Sequence, residues 1–134
     1  AYVQAGGRLF ASGAEIGYDL VDVGTTADAA FARDVLGIEY VADDANTTFV
    51  ARGDADVDVT LARFSKLGRH EVAYPDVLLP ALPMGASCLR YAGGEPGDAC
   101  VVTDHAGGGR TVVLGFPLES LDDPAVAKAL AALL

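Results

Sequence analysis

The run Arg110-Thr111-Val112-Val113-Leu114-Gly115-Phe116 constrains the fold of this chain more than any other stretch. Its β-branched and aromatic residues favour a strand over a helix. Two further strand-like runs precede it, at residues 87–92 and 99–104, joined by Gly93-Gly94-Glu95-Pro96-Gly97. Gly107-Gly108-Gly109 then turns tightly into the last run. Three strands separated by short glycine turns predict an antiparallel portion near the end of the chain.

Earlier segments supply helices at intervals. Thr25-Thr26-Ala27-Asp28 carries the hydroxyls that start a helix, predicted over residues 29–36 and stopped by Gly37. Strands are expected at residues 8–12, 38–41 and 47–51, and a loop or short turn at 17–20. Residues 57–61 alternate weakly and read as an edge strand. Pro75, Pro80 and Pro83 punctuate an apolar stretch, so residues 77–79 read as irregular coil packed on the core. Asp122-Asp123-Pro124 caps a last, strongly apolar helix. Strands alternating with helices predict an α/β domain with a mixed sheet.

The two ends differ. Residues 2–7 read as the last turn of a helix closed by Gly6, followed at once by a strand. A domain opening on the tail of a helix is expected to be the C-terminal part of a larger domain or protein. Of 134 residues, 51% are hydrophobic and 21% charged, which excludes a disordered chain. The apolar runs are too short to span a bilayer. The net charge of −10 repels phosphate backbones, so neither nucleic-acid binding nor membrane insertion is expected.

Cys88 and Cys100 flank the glycine-rich turn at nearly equal distances from Gly94. A hairpin centred there puts them opposite each other, near disulfide geometry. A Cys88–Cys100 disulfide would fit an extracellular or periplasmic protein. Two buried free thiols acting as small hydrophobes are the alternative.

Two segments resemble a known family. Residues 2–13, with Gly6-Gly7-Arg8-Leu9-Phe10-Ala11-Ser12-Gly13, are similar to the helix–GG–strand–elbow segment of class I glutamine amidotransferase-like domains. Residues 111–120, ending Leu114-Gly115-Phe116-Pro117-Leu118-Glu119, are similar to a late strand of the same fold. The order of short motifs from Gly6 to Glu119 resembles a degenerate accessory branch found in secreted bacterial proteins. The resemblance implies a three-layer, flavodoxin-like α/β sandwich with a mixed sheet, here without its first β-α units. It also implies a neighbouring domain of the same polypeptide as the partner. Active members carry a cysteine on the elbow and a late histidine and glutamate. Here the elbow is Ser12-Gly13, the glutamate is Glu119 and the histidine is missing. The resemblance therefore implies a scaffold without amidotransferase activity and without a cofactor, a non-catalytic accessory or binding domain of a larger exported bacterial protein, associated with a hydrolase.

Two rival readings come from the residues themselves. Ser12 with His105 and Glu119 would make a serine-dependent hydrolase if the fold brought them together. Asp54, Asp56 and Asp58 place carboxylates on alternate residues, the donor type a calcium-stabilised module needs. A solvated acidic edge explains the same pattern more simply.

Overall fold

The computed structural model describes residues 2–55, 57–67 and 70–134. Its strands are β1 (Arg8–Ser12), β2 (Ile38–Ala42), β3 (Phe49–Arg52), β4 (Leu61–Arg63), β5 (Lys66–Leu67), β6 (His70–Glu71), β7 (Val77–Pro80), β8 (Gly85–Tyr91), β9 (Asp98–Asp104) and β10 (Arg110–Leu114). Its α-helices are α1 (Thr26–Phe31) and α2 (Pro124–Ala131). The domain is mixed α/β, as the alternation of signals predicts.

An open sheet of eight strands organises it, in the order β1-β10-β9-β8-β3-β4, with β7 bridging β9 and pairing β2. Strands β5 and β6 form a separate small hairpin. β1 and β10 run parallel, with Ser12 beside Leu114, and the other pairs described are antiparallel. β10 ends at Leu114, opposite Cys100. Two residues further along β9, Leu78 of β7 bridges Asp98 on the side that β10 has left.

Alternation along the strands sends side chains to two cores. Phe10, Val112 and Leu114 pack with Phe64, Phe116 and with Val126 and Leu130 of α2. Leu9, Val101 and Val113 pack on the opposite face with Ala32, Leu36 and Ile38. Phe64 and Phe116 stack with centroids 4.2 Å apart, and Tyr91 meets Phe64 edge-on. Full burial of a Leu or Phe contributes about 1.5–3 kcal/mol, so Leu130, together with the buried Val126, helps to hold the short helix α2 on its face.

Local chemistry explains the helix ends. Thr25 and Asp28 exchange hydrogen bonds in a capping box that starts α1. The helix continues through a wider, π-type turn (Ala32–Leu36) before Gly37 ends it. Asp123 accepts the N–H of Ala125 at 2.8 Å to start α2. Gly6 closes the 3-10 turn Val3–Ala5 at φ +91°, the left-handed conformation its position predicts.

Four expectations need correction. Residues 77–79 form β7 rather than coil, because Pro75 precedes the strand, Pro80 is its last residue and Pro83 lies beyond it. Residues 57–60 are not a strand, and Leu61 instead opens β4. Val57 and Val59 are buried as the alternation requires, but their N–H groups bond to the carbonyls of Ala55 and Val57, two residues back, so the run is a chain of tight turns. Residues 16–22 are helical rather than loop, including a π-type turn (Tyr18–Asp22). Cys88 and Cys100 are free thiols, both fully buried. The hairpin forms, but its register slips between Ser87 and Leu89, so Cys100 faces Leu89 and Cys88 sits in the bulge. The thiols remain close enough to hydrogen-bond, and burial pushes that of Cys100 well above its usual range.

Candidate functional site

β1 delivers the chain to Ser12 and Gly13, where the Gly13 N–H still bonds the Leu114 carbonyl at 3.3 Å. The chain then bends into the helical segment at residues 16–22. The first amides of a helix have no partner within it and carry the positive end of its dipole. Here they face the side chain of Asp76. Gly17 donates to one carboxylate oxygen at 2.6 Å and Tyr18 to the other at 3.3 Å.

Asp76 is completely buried. The main chain fixes it from two sides: its N–H donates to the Gly115 carbonyl at 2.8 Å, and its carbonyl accepts the Tyr91 hydroxyl at 2.8 Å. Gly115 is obligatory at this crossing, since a Cβ there would stand 2.1 Å from the Asp76 carbonyl oxygen. Burial raises the Asp76 carboxyl from 3.8 to about 7, against the lowering effect of the two amides, and the charges of Glu15 and Asp43 add to the rise.

The same strand ends gather further acids. Asp43 follows β2 and one of its oxygens is buried without a hydrogen-bond partner among the described residues. Burial and the charges of Asp43 and Asp19 raise Glu15. Burial, then Asp43 and Asp76, push the Tyr40 phenol to about 12. This end of the sheet resists further negative charge. Among the described residues no three acids, histidines or cysteines stand close enough to hold a metal ion.

The residues proposed for catalysis do not assemble. Ser12 pairs with Leu114 at one end of β10, whereas the His105 imidazole lies 3.3 Å from the Thr111 hydroxyl near the other end. Three residues of strand separate these positions, roughly 10 Å. They also lie on opposite faces: Ser12 alternates with Leu9 and Ala11, while Thr111 donates to the Leu36 carbonyl at 2.9 Å beneath the helical layer. That bond leaves the Thr111 oxygen to accept from His105, so the imidazole serves a structural chain. Glu119 is exposed, in the 3-10 turn Leu118–Ser120.

Of the carboxylates proposed for calcium, Asp54 and Asp58 are among the described residues. Asp54 pairs with Arg90, which also approaches Asp98 at 3.6 Å. Asp58 is exposed between buried valines, and Asp56 lies outside the described residues. Arg90 and the Ser87 hydroxyl, 2.6 Å from Asp98, thus serve a structural polar network.

Sequence reasoning missed Asp76. The signal that marks it is an acid directly before the apolar run Val77-Leu78-Leu79, which has to be buried once that run is a strand. Compared with known proteins, the chain matches no family model, no curated protein and no solved structure.

Proposed function

We propose that this domain is a non-catalytic accessory or binding module of a larger exported bacterial protein, built on an amidotransferase-like, flavodoxin-like scaffold. A strand, an elbow and a helix N-terminus follow one another at residues 8–18, the arrangement by which such scaffolds hold a nucleophile and its developing oxyanion. The observation that carries the reading is the Asp76 carboxylate on the Gly17 and Tyr18 amides. An internal acid fills the donors that a substrate oxyanion would need. The His105 imidazole does not serve Ser12 as a base, because it is engaged with Thr111 at the far end of β10. The parallel strand β1 pairs with β10 alone among the described residues, which leaves an edge for a neighbouring domain of the same polypeptide.

Intact-mass analysis after exposure to a fluorophosphonate probe tests the reading. The expected result is an unmodified chain. An adduct on Ser12, lost in Ser12→Ala, would establish the serine hydrolase instead.

A further inference from the structure

A groove of about 560 Å³ opens beside β3, with Asp44, Asn46, Thr48, Phe49, Tyr74 and Pro75 in its walls. Three observations set it apart from the rest of the surface.

The first is backbone strain. Asn46 (φ +53°) and Tyr74 (φ +52°) are the non-glycine residues in the left-handed region among those described, and both line this groove. Asparagine adopts that conformation readily, and the Asp44 carboxylate supports it by accepting the Asn46 N–H at 2.8 Å. For tyrosine it is costly, and a following proline restricts it further. The chain beyond Tyr74 enforces the conformation: the Pro75 carbonyl accepts the Ala45 N–H at 3.1 Å, and Asp76 is anchored on Gly115. Core packing does not account for the strain, since Tyr74 is 55% exposed.

The second is a pair of exposed rings. Phe49, 43% exposed, joins Tyr74 in the walls, and the Arg63 guanidinium lies 5.8 Å from the Phe49 ring centre. The third is the polar complement. Asp44, Asn46 and Thr48 bring hydroxyl, amide and carboxylate groups beside the rings.

We propose that this groove binds a neutral carbohydrate. A pyranose ring presents an apolar C–H face that stacks on the electron-rich face of an aromatic ring, and a rim of hydroxyls that both donate and accept hydrogen bonds. Tyr74 and Phe49 supply the stacking surfaces. Asp44, Asn46 and Thr48 supply the hydrogen-bonding groups. An anionic ligand meets Asp44 and a chain of net charge −10. An extended peptide finds no free strand here, because β3 is paired on both sides, to β4 and β8. The site names a ligand class for the binding-module reading. It stands or falls separately from the chemistry at Ser12, which is on another strand end.

Backbone amide NMR titration of the full chain tests the assignment, using cellohexaose and chitohexaose as neutral probes and oligogalacturonate as the anionic control. Saturable shifts at residues 44–49 and 72–74 with one of the neutral probes are expected. Phe49→Ala is expected to weaken that binding about tenfold. Tyr74→Gly separates folding from binding, because it removes the ring and the strain together. It is expected to raise the melting temperature by about 2–4 °C and to weaken binding about tenfold. No shift with either neutral probe at about 10 mM overturns the proposal. So do shifts located elsewhere, equal affinity for oligogalacturonate, or undiminished binding by Tyr74→Gly. Each of these outcomes leaves the reading of Ser12 untouched, because that reading is tested by the fluorophosphonate adduct.

Discussion

The carboxylate of Asp76 accepts the backbone N–H of Gly17 at 2.6 Å, across 59 residues of chain. This contact ties β7 to the helical segment that follows β1. It also places a buried acid on the first amides of that segment.

The acid makes stability depend on pH. Folding raises the Asp76 carboxyl from 3.8 to about 7, so the folded state keeps its proton in a range where the unfolded chain has lost it. The stabilising contribution is complete below about pH 4 and is lost as pH rises to about 7. Asp76→Asn keeps one oxygen to accept the Gly17 N–H and removes the titration. Denaturant melts of the two proteins between pH 5 and pH 8 should show wild type losing about 1–3 kcal/mol relative to Asp76→Asn. Parallel curves would count against a buried, titrating Asp76.

Gly115 is the second half of the same crossing. A methyl group there collides with the Asp76 carbonyl oxygen. Gly115→Ala should cost about 3 kcal/mol or more by chemical denaturation, far above an ordinary surface Gly→Ala change. A cost near zero would mean that β7 and β10 do not approach as closely as described.

The His105–Thr111–Leu36 chain is structural, and Thr111→Val tests it. Valine keeps the shape and leaves the Leu36 carbonyl and the His105 imidazole without their shared partner. A loss of about 1–3 kcal/mol is expected from equilibrium unfolding. An unchanged stability would release His105 from that role.

Much of this fold was legible because local and global signals agree. The capping box at Thr25 and Asp28, the turn at Gly6 and the runs in β8, β9 and β10 are each written in a few adjacent residues. The errors came where tertiary contacts decide. Prolines at both ends of β7 hid a strand whose partners, β2 and β9, lie far away in sequence. Val57 and Val59 alternate like a strand, but their amides bond within the segment. The cysteine spacing was symmetric about Gly94, yet one bulge changed the register. Asp76 was invisible for the same reason as β7: nothing adjacent to it reveals the amides of Gly17 and Tyr18.

The two thiols provide a check on that bulge. Both cysteines are free and fully buried. Native protein should therefore react slowly with a thiol reagent such as dithionitrobenzoate, and unfolding without reductant should expose both thiols at once. Unfolded protein that takes up no reagent would instead carry the disulfide.

Asp76 fills the Gly17 and Tyr18 amide site, and carboxyl carbon-13 NMR reads that contact most directly. The Asp76 resonance is predicted to titrate near pH 7, with the Gly17 amide proton shifting in the same step. A midpoint near 4, with a Gly17 amide that does not respond, would show that the carboxylate is solvated and the helix N-terminus is open.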